Sequence, residues 1–184
     1  MLVISKYALD CQPYNTSYTD VTWKTCSLRK WLNNTFINNA FSSVEQALIP
    51  TITVSADKNP EYRTDPGNAT QDKVFLLSIP EVNKYFDRDD ARMCSATEYA
   101  EAQGAWTSDS YSAGGKALRW WWLRSPGSHQ DRAAGVYGGG AVDESGIIVN
   151  YDNDAVRPAL WITLGDSQDG NKGLISPAEE PMSS

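Results

Sequence analysis

His129 is the only histidine of the chain, and Ser125, Ser128 and Asp131 all lie within four residues of it. A histidine beside a hydroxyl and a carboxylate is the material of nucleophilic catalysis: the imidazole takes the hydroxyl proton and the acid orients the ring. Three neighbours on one loop rarely converge in that way, and neither serine sits between the glycines of a nucleophile elbow. An enzyme is therefore not the expectation. The three cysteines, Cys11, Cys26 and Cys94, have no metal-ligand spacing, so neither a zinc site nor a cofactor is expected. Their odd number leaves a Cys11–Cys26 disulfide and three reduced thiols both open. Asp152-Asn153-Asp154 and Asp57-Lys58-Asn59-Pro60-Glu61 carry oxygens of the kind calcium takes, but neither follows a calcium-loop pattern, and both read as polar turns. Asp87-Arg88-Asp89-Asp90 reads as a solvated charged turn. Arg124 and Arg157 stand inside strongly apolar segments, where an unpaired guanidinium would cost several kcal/mol. Both read as structural pins, with Asp72, Asp152 and backbone carbonyls as candidate acceptors; anion binding is the functional alternative.

The elements that must position these groups follow from pattern. Trp120 to Gly127 and Val156 to Leu164 read as buried strands, because aromatic and branched apolar residues run almost continuously through them. Trp121 and Trp122 point to opposite faces of the first of these; one belongs to the core, and the other is a candidate floor for a binding surface. The segment between is small, polar and glycine-rich. Val136, Gly140 and Val142, then Gly146 and Val149, predict two small hairpins with glycine at left-handed turn positions, valines inward and the other side chains toward water.

Upstream, residues 1–8 read as a first strand, and Asp10 to Val21 as a polar loop. Ser27 is the expected N-cap of a helix running to about Phe41. Ser42 or Ser43 caps a second short helix with Val44, Ala47 and Leu48 facing inward, followed by a strand at 51–54 and a long polar loop from Asp57 to Gln71. Lys73 to Ile79 reads as a strand, with Pro80 and Glu81 opening a helix to Phe86. Ser95-Ala96-Thr97-Glu98 reads as a capping box for a helix that stops at Gly104. Trp106 to Lys116 is expected to be loop, and Gly165 to Ser184 a disordered tail or linker.

At 184 residues the chain suits one domain with a real core. Its net charge of −7 makes nucleic acid an unsuitable partner, and no apolar run is long enough to span a bilayer. Met1-Leu2-Val3-Ile4 is too short for a signal-peptide core and lacks a basic start, so the compartment stays open.

Four separated segments in order carry a resemblance: 21–33 (VTWKTCSLRKWLN), 72–78 (DKVFLLS), 121–127 (WWLRSPG) and 156–161 (VRPALW). Together the chain resembles, over residues 1–164, a bacterial domain family of unknown function common in gut Firmicutes and their phages. The resemblance implies an α+β fold of C-type-lectin type, related to formylglycine-generating enzymes, with a twisted antiparallel sheet, two or more flanking helices and a long loop-rich region. It also implies a further strand before Leu2, hence a truncated start. Some members of that family are variable proteins of diversity-generating retroelements, whose surface codons between the two tryptophan-rich motifs are rewritten. The matching positions here are Ser128, His129, Gln130, Asp131, Arg132, Gly135, Tyr137, Gly138, Gly139, Asp143, Glu144, Ser145, Ile147, Ile148, Asn150 and Tyr151. The anchors are Ala133, Ala134, Val136, Gly140, Val142, Gly146 and Val149, held by a frame that includes Trp121, Trp122, Arg124 and Arg157.

The resulting expectation is a non-enzymatic binding domain for a protein or glycan at a cell or phage surface, with no metal, no nucleic acid and no membrane insertion. Tyr137 and Tyr151 would supply rigid contact area. An oxidase of the formylglycine-generating type is the first alternative, although the cysteines do not lie where that family carries its pair. A purely structural module of a larger surface protein is the second.

Overall fold

The computed structural model describes residues 1–105, 112–113 and 116–164; the tail expected from 165 and most of the loop expected from 106 lie outside these. The chain has an α+β arrangement of short elements. Strands β1 (Leu2–Ile4) and β2 (Asp10–Cys11) come first. Helix α1 (Ser27–Trp31) continues through a π-helical turn at Leu32–Phe36 into α2 (Ile37–Ala40). Then follow α3 (Ser43–Ala47), β3 (Ile52–Val54), β4 (Thr70–Asp72) and β5 (Val74–Phe75). Helices α4 (Ile79–Tyr85), α5 (Asp89–Arg92) and α6 (Glu98–Ala102) lead to the small hairpin β6 (Ser112–Ala113) and β7 (Lys116–Ala117). The last strands are β8 (Trp121–Pro126), β9 (Arg132–Val136), β10 (Val142–Ile148), β11 (Ala155–Val156) and β12 (Ala159–Trp161).

Two sheets organise the domain: a five-stranded one ordered β10-β9-β8-β11-β2 and a three-stranded one ordered β1-β12-β5. Only β11 with β8 is parallel within them. The chain crosses from one sheet to the other at Arg157-Pro158, between β11 and β12. Both ends of the domain therefore meet: β1 pairs with β12 (Leu2 opposite Trp161) and β2 with β11 (Cys11 opposite Ala155).

Several elements differ from their sequence expectation for local reasons. The N-cap of α1 is Cys26, whose thiol accepts from the Arg29 amide, and Ser27 is the first helical residue. The capping box of α3 forms between Ser42 and Glu45, but Val44, Ala47 and Leu48 are all exposed rather than inward. That helix is held by its caps and by Gln46, whose Nε2 donates to Ile37 O and Phe41 O, so it needs no apolar face. The strand expected over 73–79 pairs only at Val74–Phe75. Beyond it the carbonyls of Leu76 and Leu77 serve Arg124 instead of a sheet neighbour. Ser78 and Glu81 make the capping box of α4, with Ile79 rather than Pro80 as the first helical residue. Ser95 does not cap α6; its carbonyl binds the Ala8 amide in extended backbone, and Thr97 takes the role, its Oγ1 accepting from Ala100 N at 3.2 Å.

The core runs between the sheets and the α1–α2 segment, and Trp121, Trp122 and Leu123 lie at its centre with no exposed surface. Neither tryptophan floors an exposed surface, as the sequence had allowed for one of them. Each indole N–H is satisfied inside, Trp121 by Arg92 O at 3.2 Å and Trp122 by Gln12 O at 2.9 Å. Such satisfaction is what lets an indole be buried whole.

Candidate functional site

Ala134 is the pivot of the region between the two tryptophan-rich segments. On one side, Trp122 pairs with Gly135 and Pro126 with Ala133, so Leu123, Arg124 and Ser125 all stand opposite Ala134. On the other, Asp143 pairs with Gly135 and Ile147 with Ala133, so Glu144, Ser145 and Gly146 stand opposite it too. Both neighbours of β9 bulge at the same place. Gly146 is thus a bulge residue with φ +71°, not the turn of a second hairpin, and a Cβ there would lie 2.4 Å from Ala133 O. Asp143 braces this bulge: its Oδ1 accepts from Ser145 N (3.1 Å), Ser145 Oγ (2.6 Å) and Gly146 N (3.1 Å).

The bulge of β8 turns Arg124 out of the ladder and into a buried ion group. Its Nε donates to Ser55 O, one terminal nitrogen to Leu76 O and to Glu81, and the other to Asp57 Oδ2 at 2.8 Å and Glu81 Oε1 at 3.1 Å. Its acids are therefore Asp57 and Glu81, not Asp72 or Asp152. Asp72 instead accepts from Trp23 Nε1, Arg29 Nε and Thr70 Oγ1. Arg157 pins the crossing between sheets, donating to Ser5 O (2.9 Å) and Arg92 O (3.1 Å) while lying 4.9 Å from the Trp121 ring. Both arginines have only internal partners, so anion binding has no support from their geometry.

Fourteen of the sixteen positions singled out by the resemblance fall into two groups, at opposite ends of β9 and about 14 Å apart for a strand of that length. At one end lie the β8–β9 turn with Ser128 to Asp131, the start of β9 at Arg132, its partner Ile148, and Asn150. The β10 bulge joins them, because Ser128 N donates to Ser145 O at 2.8 Å. His129, Ser145 and Asn150 are exposed here, and Ser128, Asp131, Arg132, Glu144 and Ile148 are half-buried. Gln130 is a brace: its Nε2 donates to Val21 O (2.8 Å) and Asp65 O (3.0 Å).

At the other end lie Tyr137, Gly138 and Gly139 in the β9–β10 turn, together with Gly135 and Asp143. Gly135, Gly138 and Asp143 are buried, and a Cβ on Gly135 would stand 3.2 Å from Trp121 O. Tyr137 packs edge-on against Trp120 with centroids 4.5 Å apart. Ile147 and Tyr151 pack against the core, so not every non-valine side chain of this region faces water.

The loop before β4 closes the first group on one flank. Asn59, 3% exposed, holds it there: Nδ2 donates to Pro126 O and Glu144 O, both at 2.8 Å, and Oδ1 accepts from the Glu61 and Tyr62 amides. Thr64 Oγ1 donates to Gly127 O at 2.7 Å. An open groove of about 570 Å3 lies within residues 58–66 beside the bulge. On the other flank Tyr18, 62% exposed, donates from its hydroxyl to Asp131 Oδ2 at 2.6 Å, and that bond raises the phenol pKa. From sequence, Asn59 is named only within the polar turn at 57–61, and Tyr18 only lies within the polar loop at 10–21. The Asn-Pro pair at 59–60, a turn initiator, was the available signal for Asn59; nothing local marks Tyr18.

The groups that could do chemistry are dispersed. Ser128 Oγ lies 3.0 Å from His129 Nδ1 on the exposed turn, but Asp131 serves Tyr18, and Ser125 is buried with its Oγ accepting from Ile79 N. The three cysteines are free, buried thiols in separate settings: Cys11 donates to Asp152 O, Cys26 to Trp23 O, and Cys94 to Lys6 O. Burial pushes the Cys11 and Cys26 thiols up to about 12 and raises Cys94 as well, the reverse of an activated nucleophile. Oxygens of the two acid-rich turns serve the fold: Asp57 binds Arg124, Asn59 binds backbone, and Asp154 is turned inward at 2% exposure. Among the described residues no three His, Cys, Asp or Glu side chains are grouped to hold a metal ion, and no helix is long and apolar enough to cross a membrane.

No curated protein and no solved structure matches the chain. A family does, over the whole of the domain just described, and its description leaves function open. Through residues 1–164 the chain belongs to the family described as Domain of unknown function (DUF6273).

Proposed function

We propose that the chain is a non-enzymatic ligand-binding domain of C-type-lectin type, resembling the variable proteins of diversity-generating retroelements. Its contact surface is the β8–β9 end: Ser128, His129, Asp131, Arg132, Glu144, Ser145, Ile148 and Asn150, with Tyr18 and the 58–66 loop as flanks. The observation that carries the reading is a contrast across one strand pair. Behind the turn, Trp121 to Gly127 are all buried, and the indoles and Arg124 have internal partners; in front, the side chains of His129, Ser145 and Asn150 reach water. Side chains on such a turn can change without disturbing the packing behind them. Mixed hydroxyl, amide, imidazole and carboxylate groups around a few aromatic rings suit a protein or glycan partner at a cell or phage surface. Tyr137, Gly135, Gly138 and Gly139 belong to the opposite end, whereas Asp143 lies between the two and braces the bulge that carries Ser145.

The test uses the purified chain on arrays of glycans and of bacterial surface proteins. The triple variant Ser128→Ala/His129→Ala/Asn150→Ala is expected to lose at least about tenfold in affinity for any hit while its Tm stays within about 2 °C. Unchanged binding by that variant, with binding lost instead on substitution at Tyr137, would refute the placement. The diversification reading has its own test in the genome: a near-copy of the coding stretch for 128–151, differing at adenines and lying beside a reverse transcriptase, is the expected finding.

A further inference from the structure

The three-stranded sheet ends in an open edge. β1 is its end strand, all of its residues are apolar, and among the described residues no strand lies on its outer side. Met1 exchanges both backbone hydrogen bonds with Ile162, and Ser5 N donates to Pro158 O at 3.0 Å. Val3 stands opposite Leu160, in step with these pairs. In an antiparallel ladder the residues between, Leu2 and Ile4, turn N–H and C=O away from β12. Natural edges carry a lysine, a proline or a bulge against stray pairing, and Leu2-Val3-Ile4 carries none of these. Successive side chains of β1 point to opposite faces, and each face has an apolar groove. Val3 lines one of about 200 Å3 with Leu160, Ile162, Phe36 and Phe41. Leu2 lines the other, of about 290 Å3, with Leu77, Tyr85 and Phe86, and Ile4 borders both.

No residue lining either groove is charged, so the charge at the rim decides what suits it. Lys6 follows Ser5 directly, and the Lys84 ammonium lies 5.2 Å from the Tyr85 ring centroid. Both are exposed, and among the described residues neither is paired with an acid. Asp87 and Arg88, which follow Phe86, offset each other. In a chain of net charge −7 this rim is positive and suits an acidic partner. A helix could fill one groove; an extended chain paired with Leu2 and Ile4 reaches both, because its side chains alternate between the faces. A rigid second copy would set one positive rim against another along about 10 Å of strand, too little for the roughly 1,200 Å2 of a stable interface. We propose that β1 is a strand-addition site for an extended segment of another protein, with two or three apolar residues in succession and acids beside them at the end that meets Lys6. The segment becomes a fourth strand of the sheet. Its backbone pairs with Leu2 and Ile4, its apolar side chains enter the two grooves in turn, and its acids meet Lys6 and Lys84. The edge lies in the sheet that does not carry the β8–β9 turn, so it is independent of that contact surface.

The experiment titrates the intact chain with two end-blocked synthetic peptides, SVIVDEE and SVIVKKK, and follows binding by amide hydrogen exchange. SVIVDEE is expected to bind with a Kd below about 1 mM and, at saturation, to slow exchange at Ile4 at least about tenfold. Val3, already bonded to β12, is expected to change less than about twofold. SVIVKKK is expected to bind at least about tenfold more weakly, and Lys6→Glu combined with Lys84→Glu to reverse the order of the two peptides. Leu2→Pro removes an outward donor and leaves the bonds between β1 and β12 in place. It is expected to weaken SVIVDEE at least about tenfold while Tm stays within about 2 °C. No binding of SVIVDEE up to about 1 mM, or equal binding of the two peptides by the unaltered chain, overturns the proposal. So does slow exchange at Ile4 in the chain alone: persisting on dilution, it shows an occupant within the chain, and lost on dilution, a second copy.

Discussion

Replacing Arg124 by alanine removes the centre of the buried ion group while leaving Asp57, Glu81, Leu76 O and Ser55 O facing an empty space. Breaking a buried pair from one side costs about 3–5 kcal/mol, because the abandoned charge is not resolvated. Both acids keep about a quarter of their side-chain surface in water (25% each), which draws the expected cost toward the lower bound. For a chain of this size that is a fall in Tm of about 6–12 °C, read by calorimetry or circular dichroism at pH 7. Arg124→Lys restores the charge but not the fork, and is expected to recover less than half of the loss. Arg124→Met combined with Asp57→Asn and Glu81→Gln removes every formal charge, and is expected to be more stable than Arg124→Ala alone by about 1–3 kcal/mol. The Glu81→Gln change keeps an oxygen for the Ser78 amide that caps α4. A Tm loss below about 2 °C for the alanine variant, or no gain in the triple variant, would refute the account of Arg124 as a pin.

Gly146→Ala places a Cβ against the Ala133 carbonyl in a left-handed backbone, so it is expected to cost about 2–3 kcal/mol, measured by urea unfolding, whereas alanine at the open Gly104 costs the smaller conformational penalty of about 1 kcal/mol. Alkylation of the folded chain at pH 8 should be slow at Cys11, Cys26 and Cys94, and mass spectrometry should find all three modified once urea is added; fast labelling of any one in the native state contradicts its burial and raised pKa. Burial, and secondarily Asp143, raise the Asp154 carboxyl to about 7, so stability is lost as pH rises; Asp154→Asn should flatten this fall between pH 4 and 7, a span of about three units worth at most about 4 kcal/mol.

Much of the frame was legible because it rests on composition. A run of Trp, Leu and branched residues can only be buried, and an arginine inside it must find acceptors, so Trp121, Trp122, Arg124 and Arg157 could be assigned to the frame from residue type. Which acceptors they find could not be read. Asp57 and Glu81 are 67 and 43 residues from Arg124, and only the closing of the sheets brings them near. The same limit explains Gly146. A valine–glycine spacing predicts a turn as well as it predicts a bulge, and the choice depends on Ala134 pairing on both sides of β9. Alternation along β10 put Asp143 outward, but it is buried, and its carboxylate takes the Ser145 and Gly146 donors of the bulge that follows it. Tyr18 and Asn59 carried too little local pattern to be linked to a surface more than 60 residues away. The caps, by contrast, were readable to within two residues, since Ser42, Ser78 and Thr97 act on amides three positions away.

The joining of residues 2–11 to residues 155–161 also sets the order in which this domain can assemble. Pairing Leu2 with Trp161 spans the whole domain, so neither sheet is complete until the last strands have been synthesised. Contacts of such separation are slow to form, because the loop entropy is lost before any of the contact energy is gained. During translation the Trp121–Trp122 strand leaves the ribosome before its partner β11 exists, and the apolar β1 waits beside it without β12. A nascent chain halted before Ala155 is therefore expected to engage holding chaperones, and one extended past Trp161 to be released from them.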